Sequence, residues 1–233
     1  MTDPKIVPTT VSAVLFDMDG VLYDSMPRHA AAWMEMCRKT GLKADYNEFF
    51  SYEGRTGVST IQILTRRQYG REVSVEEARR MYAIKSEVFA SMGPAPLMPG
   101  AQEAVEAVLQ AGALPVLVTG SGQTTLLERL ERDFPGAFPA ERRVTAFDVT
   151  HGKPDPEPYL VGLDKAGVGA NAAVAVDNAP LGVQSASAAG IFTIGAKTGP
   201  IGAGELLAAG ADIELEGMEA TARMLISLFQ PGR

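Results

Sequence analysis

Cysteine is almost absent from this sequence: Cys37 is the one cysteine among 233 residues. A single cysteine excludes an internal disulfide framework, and it gives no sign of an oxidising compartment. Cys37 lies in a helical pattern far from any obvious base. This position favours an inert, buried thiol over a nucleophile.

Positive charge is also scarce, with 21 Lys and Arg against 28 Asp and Glu and a formal net charge of −7. This balance excludes a general binder of nucleic acid or anionic membranes, since both need clustered positive charge. No apolar run approaches the roughly 20 residues that cross a bilayer. The N-terminal stretch MTDPKIVPTT lacks an apolar signal core. We therefore expect a cytoplasmic monomer without nucleic-acid or membrane partners.

What the sequence does contain is a series of short apolar runs that alternate with helical patterns. AVLF begins the series at residue 13, and the later runs are LPVLVT at 114–119, VTAF at 144–147, AVAV at 173–176 and GIFTI at 190–194. Continuous apolar runs between helices indicate a parallel sheet covered on both faces. The fold class predicted is therefore α/β, with a Rossmann-like three-layer core.

The stretch between the first and second runs is different, because it contains helical patterns and no strand. Pro27 suits a first helical turn, and Gly41 and Gly70 suit helix ends. We predict a discontinuous core domain of residues 1–19 and 93–233, interrupted by a helical cap domain of residues 20–92. The proline-containing stretch GPAPLMPG at 93–100 is the predicted return hinge.

Polar residues that could carry chemistry follow the predicted strands at their carboxyl ends. In open parallel sheets, ligands bind beyond those ends. The residues concerned are Asp17 and Asp19 after the first strand, Thr119 and Gly120 after the second, Lys153 shortly after the third, and Asp177 and Asn178 after the fourth. Their joint placement predicts one site at this edge of the sheet.

These motifs resemble, in order, those of the haloacid dehalogenase superfamily, in its β-phosphoglucomutase-like branch with a helical cap. DMDGV resembles the first motif, Thr119 the second, Lys153 in GKPDPEPY the third and the Asp177–Asn178 pair the acidic fourth. The resemblance covers nearly the whole chain. It implies that Asp17 is a nucleophile that forms an aspartyl-phosphate, and that Asp19 is the general acid/base.

The chemistry implied by the resemblance explains why an apolar strand ends in two like charges. Mg²⁺ would neutralise the carboxylate and the incoming phosphate dianion. Its ligands are predicted among Asp17, Asp19, a nearby backbone carbonyl and the Asp177–Asn178 turn, because hard oxygen atoms suit Mg²⁺. Lys153 would offset the remaining charge. Thr119 would cradle the phosphoryl oxygens, together with Gly120 and Ser121.

The fourth motif departs from the family pattern, since many relatives have two acids where this chain has Asp177 and Asn178. Counting back from Gly182 aligns Asn178 with the second acid, which makes its carbonyl oxygen the metal ligand. The alternative register places Asp177 on the metal. We prefer the first alignment, and the sequence leaves both open.

The first cap loop, YEGRTGVST, departs as well. Glu53 and Gly57 stand where mutases of the resembled branch have a lysine and an arginine. Arg55 and Thr56 remain as possible anion contacts. His29 lies where those mutases have a histidine near the general acid/base, and a purely structural role is equally compatible with the sequence.

Loss of the two cap cations favours a hydrolase over a mutase, because a mutase must hold the second phosphate of its substrate. Glu53 is either a solvated loop carboxylate or a partner for Arg55, or it is a metal ligand that arrives when the cap closes and replaces the charge missing at Asn178. The metal-ligand alternative requires a compact substrate, so we predict an Mg²⁺-dependent phosphohydrolase of inorganic pyrophosphate or a small phosphate ester. The alternatives are a sugar-phosphate mutase or sugar phosphatase and, last, a catalytically silent module that binds a phosphorylated metabolite.

Overall fold

The computed structural model describes residues 5–120 and 124–230, and for residues 124–128 it describes the backbone alone. Its sheet has six strands in the order β3-β2-β1-β4-β5-β6, and every pairing in it is parallel. This arrangement confirms the predicted α/β class. The strands are β1 (Ala13–Phe16), β2 (Leu114–Val118), β3 (Arg143–Val144), β4 (Ala173–Asp177), β5 (Phe192–Ala196) and β6 (Ile213–Leu215).

Helices cover both faces of the sheet. They are α5 (Ala101–Gln110), α6 (Thr124–Asp133), α7 (Glu157–Ala166), α8 (Pro180–Ala188), α9 (Glu205–Ala208) and α10 (Gly217–Leu228). Side chains of α5, α6 and α10 share one apolar cluster with Val14 and Phe16. Side chains of α7 and α8 share another with Ala13 and Leu15. Because successive side chains of a strand point to opposite faces, burial on both faces requires the continuous apolar run seen in β1.

The cap consists of α1 (Met26–Thr40), α2 (Glu48–Ser51), α3 (Gly57–Tyr69) and α4 (Val75–Ser91). Its helix ends agree with the sequence: Pro27 lies in the first turn of α1, and Gly41 and Gly70 cap α1 and α3 in the left-handed conformation. The cap has an apolar cluster of its own, to which Trp33 and Cys37 belong. Cys37 is buried, as predicted, and burial raises the pKa of its thiol to about 11.

One predicted strand is wrong in extent, because β3 covers Arg143–Val144 and not the whole of 144–147. Asp148 Oδ2 accepts hydrogen bonds from the backbone N–H and the hydroxyl of Thr145, which closes a turn where the strand would continue. Phe147 is consequently 84% exposed. The structure also adds β6 and α10, in a part of the sequence for which the run pattern made no assignment.

The two chain segments that cross between core and cap pack against the sheet. The core therefore extends beyond the predicted boundary at residue 19. Val21, Leu22 and Tyr23 belong to the cluster that contains β1, and Met98 belongs to it as well. The division into domains stays a prediction, and this packing favours a first crossing near residue 24. Within residues 5–120 and 124–230, no helix has both the length and the apolar composition that a bilayer crossing requires.

Candidate active site

Three residues predicted from separate motifs meet at the carboxyl edge of the sheet. Lys153 Nζ donates to Asp17 Oδ1 at 2.6 Å and to Asp177 Oδ2 at 2.7 Å. All three side chains are buried. The strand register explains why these side chains lie together. β1 lies between β2 and β4, and Phe16 is opposite both Leu117 and Val176. Asp17 and Asp177 therefore leave the sheet side by side.

Asp177 has a protein partner at each of its oxygens. Besides the contact with Lys153, its Oδ2 accepts a hydrogen bond from the Tyr159 hydroxyl at 2.6 Å, and its Oδ1 accepts the N–H of Ala179 at 3.0 Å. Gly182 is required beside it, since a Cβ at that position would overlap the carboxylate. The contacts indicate that Asp177 orients Lys153. Sequence reasoning missed Tyr159, whose position on α7 carries no local sign of this contact.

Asn178, Asp17 and Glu53 present buried oxygens of a different kind. Asn178 Oδ1, Asp17 Oδ2 and Glu53 Oε1 have no hydrogen-bond partner among the described residues. The Asn178 side chain is held from two directions: its Nδ2 donates to Glu53 Oε2 at 3.1 Å, and Gly20, at φ +83°, leaves the space that it fills. Buried polar atoms ordinarily have partners. These three oxygens lack a hydrogen-bond partner within the described part of the chain, and oxygen atoms of this kind are the ligands that a hard divalent cation such as Mg²⁺ prefers.

The electrostatics of this cluster also call for a cation. Burial, together with Asp177 and Asp19, raises the pKa of Asp17 to about 7 although Lys153 opposes the shift. Burial and the neighbouring aspartates raise the pKa of Glu53 well above its ordinary value. The pKa of Lys153 is raised by Asp17 and Asp177 against the effect of burial, so the lysine stays charged. One lysine does not balance the carboxylates around it, and a divalent cation would.

Asp19 faces the cap instead of the three unpartnered oxygens. Its Oδ1 accepts a hydrogen bond from Ser25 Oγ at 2.6 Å and lies 3.4 Å from His29 Nε2. Although burial alone would raise the pKa of Asp19, His29, Ser25 and Lys85 together lower it. These contacts favour the acid/base role predicted for this side chain, and the metal role predicted for Asp19 stays a prediction.

Lys85, on α4, is a buried cation that sequence reasoning missed. Its Nζ lies 2.7 Å from His29 Nδ1, and the ring centres of Phe89, Trp33 and Tyr82 are 4.8, 5.5 and 5.6 Å away. Burial lowers the pKa of Lys85 to about 8, so the amine is still protonated at neutral pH. Because the ammonium can only donate, His29 faces it with Nδ1 and turns its other ring nitrogen, Nε2, toward Asp19.

The remaining predicted residues divide into those that reach the cavity and those that do not. Thr119 is buried and lines the cavity with Gly120 and Arg55. The structure does not bring Thr56 there: its hydroxyl accepts the N–H of Ser59 at 3.2 Å and caps α3, and its side chain is exposed. Ser121 lies outside the described residues.

The cap is closed over this edge of the sheet. The backbone of Gly54, at φ +86°, approaches so near that a Cβ there would lie 3.4 Å from Lys153 Cβ and 3.5 Å from Leu181 Cβ. On α2, Phe50 packs against Gly199 of the core. A cavity of about 130 Å³ remains between cap and core, and its lining includes the acidic cluster together with Trp33 and Tyr82. Pockets for drug-sized ligands span roughly 300–1,000 Å³, so this space suits a small molecule.

The fold and site together define a class of protein: a parallel-sheet domain with a lysine bound between two buried carboxylates at its carboxyl edge, covered by a helical cap. The chain belongs to the haloacid dehalogenase-like hydrolase family, whose model matches residues 11–190.

Curated relatives and solved structures agree with this assignment. The chain is 29% identical to hexitol phosphatase A of Escherichia coli over 77% of its length and 80% of that protein. It is 30% identical to validoxylamine A 7'-phosphate phosphatase of Streptomyces hygroscopicus over 79% of its length and 84% of that protein. It superposes on the solved structure "Putative beta-phosphoglucomutase from Bacteroides vulgatus" with a TM-score of 0.89 and 45% identity, covering 96% of this chain and 92% of the other.

Proposed function

We propose that this protein is an Mg²⁺-dependent phosphohydrolase that works through a phosphorylated Asp17 and prefers inorganic pyrophosphate or a very small phosphate ester. The observation that carries the proposal is the contact between the cap carboxylate Glu53 and the core amide Asn178. Each presents a buried oxygen without a partner beside Asp17. The cap thus supplies a carboxylate where the core of a two-acid relative would supply its own.

A ligand that arrives with the cap ties metal binding to closure. Asp17, Asn178 and Glu53 would hold Mg²⁺, which supplies positive charge against the phosphoryl oxygens and the attacking carboxylate. Glu53 occupies this position with the neighbouring Gly54 seated against Lys153 and Leu181, so opening the cap would withdraw it. A substrate that fits the cavity of about 130 Å³ permits that closure, and a bulky one holds the cap open.

The side chains are arranged for two successive displacements at phosphorus. An Asp17 oxygen attacks, the bond from phosphorus to the leaving oxygen breaks, and Asp19 gives that oxygen a proton. Asp19 then takes a proton from water, whose oxygen displaces Asp17 and releases phosphate. Asp19 is ionised in the substrate-free protein, and the dianion of a bound substrate raises its pKa and so favours the protonated form that the first step needs.

Positively charged side chains of both the core and the cap line the cavity. Lys153 is fixed between Asp17 and Asp177 on the core side. Lys85 and Arg55 line the cavity on the cap side. A substrate with two phosphates would have its second phosphate near these cations. Pyrophosphate is the smallest substrate of this kind.

A sugar phosphatase is the second candidate. Trp33 and Tyr82 line the cavity, and aromatic side chains suit contact with the apolar faces of a sugar or polyol. The relatives named above that act on a hexitol phosphate and on validoxylamine 7'-phosphate support this candidate. It predicts that a polyol or hexose phosphate is hydrolysed more efficiently than pyrophosphate.

Phosphate release with Mg²⁺ from pyrophosphate, glycerol phosphates, sorbitol 6-phosphate and hexose phosphates tests the proposal, with Asp17→Asn as the control. We expect the highest kcat/KM for pyrophosphate or the smallest ester. Preference for a hexose phosphate would establish the second candidate. Conversion of β-glucose 1-phosphate to glucose 6-phosphate would identify a mutase, and binding without turnover would identify a silent module.

A further inference from the structure

Tyr23, at the first crossing from core to cap, is held by a helix that is distant in sequence. Its hydroxyl lies 3.3 Å from Asp133 Oδ2, and the Arg129 guanidinium lies 4.5 Å from the centre of its ring. Arg129 Nε donates to the same Asp133 oxygen at 2.9 Å. Burial and Asp133 raise the pKa of Tyr23, so its hydroxyl stays protonated and donates. These three residues, Tyr23, Arg129 and Asp133, form a hinge clamp.

The same tyrosine is tied through its backbone to the acid/base residue. Asp19 and Tyr23 form a β-bridge, and the carbonyl of Tyr23 accepts the N–H of Gly20 at 2.7 Å. The turn between Asp19 and Tyr23 is therefore closed on itself. Whatever fixes Tyr23 also fixes the backbone from which the Asp19 carboxylate projects.

The second chain crossing, which returns from the cap to the core, pairs with the first crossing beside Tyr23. Tyr23 forms an antiparallel bridge with Leu97, and the N–H groups of Asp24 and Met98 donate to the carbonyls of Pro96 and Leu22, each at 3.0 Å. Beyond this junction the contacts belong to the cap: Arg28 of α1 donates to the carbonyl of Gly93 at 2.9 Å. A cap rotation would therefore act on the short stretches between the junction and α1 on one side and Gly93 on the other.

We propose that the hinge clamp makes Tyr23 a positioning residue for Asp19. By binding the crossing to α6, it keeps the Asp19 turn with the core while the cap moves. The inference rests on the proposed function, in which Asp19 transfers the proton to the leaving oxygen. Tyr23 touches no reacting atom and acts through the backbone of residues 19–23.

The first test compares two esters of different leaving group. Departure of an alkoxide from glycerol 3-phosphate needs the proton from Asp19, whereas p-nitrophenyl phosphate loses a stable anion and needs it far less. We expect Tyr23→Phe to lower kcat/KM for glycerol 3-phosphate at least fivefold more than for p-nitrophenyl phosphate. Asp133→Asn, which weakens both clamp contacts, should give the same pattern. Tyr69→Phe, at a half-exposed cap tyrosine, is the matched control and should change neither value.

The second measurement does not depend on turnover. Amide hydrogen exchange should accelerate in residues 20–23 of Tyr23→Phe and remain unchanged in β4. Equal losses for both esters, or unchanged kinetics and exchange in both clamp variants, would overturn the positioning role. If the unsubstituted enzyme hydrolyses neither ester nor pyrophosphate, the proposed function fails instead, and unchanged exchange in the clamp variants would still refute the clamp.

Discussion

Replacing Glu53 with glutamine should raise the Mg²⁺ requirement of this protein and change its choice of substrate. The substitution keeps the size of the side chain and an oxygen that can accept from Asn178 Nδ2, now 3.1 Å from Glu53 Oε2. It removes the negative charge from beside the unpartnered oxygens of Asp17 and Asn178. A charge-assisted contact contributes about 1.5–3 kcal/mol, which is roughly a tenfold to hundredfold change in an equilibrium constant.

We therefore expect the Mg²⁺ concentration for half-maximal phosphate release to rise by about that factor. The loss in kcat/KM should be largest for the smallest substrate, since its complex closes most fully. Glu76→Gln removes a cap carboxylate whose side chain is 85% exposed, and it should leave both values unchanged.

A double variant makes the test sharper. Glu53→Gln combined with Asn178→Asp moves the carboxylate from the cap to the core. We expect it to recover part of the lost Mg²⁺ affinity and to improve hexose phosphates relative to pyrophosphate, because metal binding no longer depends on full closure. If Glu53→Gln has the Mg²⁺ dependence and substrate profile of the unsubstituted enzyme, Glu53 is not a ligand and the size argument is wrong.

Three further outcomes are expected. Asp17→Asn should abolish turnover, and beryllium fluoride with Mg²⁺ should bind the unsubstituted protein as a phosphoryl mimic; full activity of the variant, or activity in excess chelator, would refute the nucleophile. Solution scattering should show the cap, from about residue 24 to Gly93, more closed with that mimic than without it, and identical profiles would exclude a gating motion. Because burial raises the pKa of Cys37 to about 11, the unfolded thiol ionises first above pH 9. Its contribution to stability is therefore full below pH 9 and lost as pH rises toward 11; denaturant titrations should show this loss for the unsubstituted protein and not for Cys37→Ala.

Local sequence patterns were sufficient to predict the strands and helix ends whose formation depends on residues adjacent in sequence. The run at 13–16 predicted β1 because a strand buried on both faces needs apolar side chains at every position. Pro27, Gly41 and Gly70 marked helix ends because their backbone preferences are intrinsic to the residue. The pattern failed at 144–147, where the Thr145–Asp148 turn ends the strand despite its apolar composition.

The candidate site was predicted in part. Asp17 follows β1, Asp177 ends β4 and Lys153 precedes α7 at the same edge of the sheet, so topology alone implies that they meet. Thr56 has the residue type of an anion contact, but the helix start beside it uses its hydroxyl as a cap. Lys85 and Tyr159 were not predicted as site residues because each lies inside a helix, where a polar side chain is ordinarily exposed.

The sequence by itself determined the parallel sheet, the inserted helices and the set of acidic and basic residues at the strand ends, because these follow from side-chain periodicity and chain order. Only the tertiary structure decided which oxygens keep partners and which do not. Glu53 contacts Asn178 across 125 positions of sequence, and Lys85 contacts His29 across 56. The partner of a buried polar atom is set by the packing of separate elements, and no local pattern of residues records it.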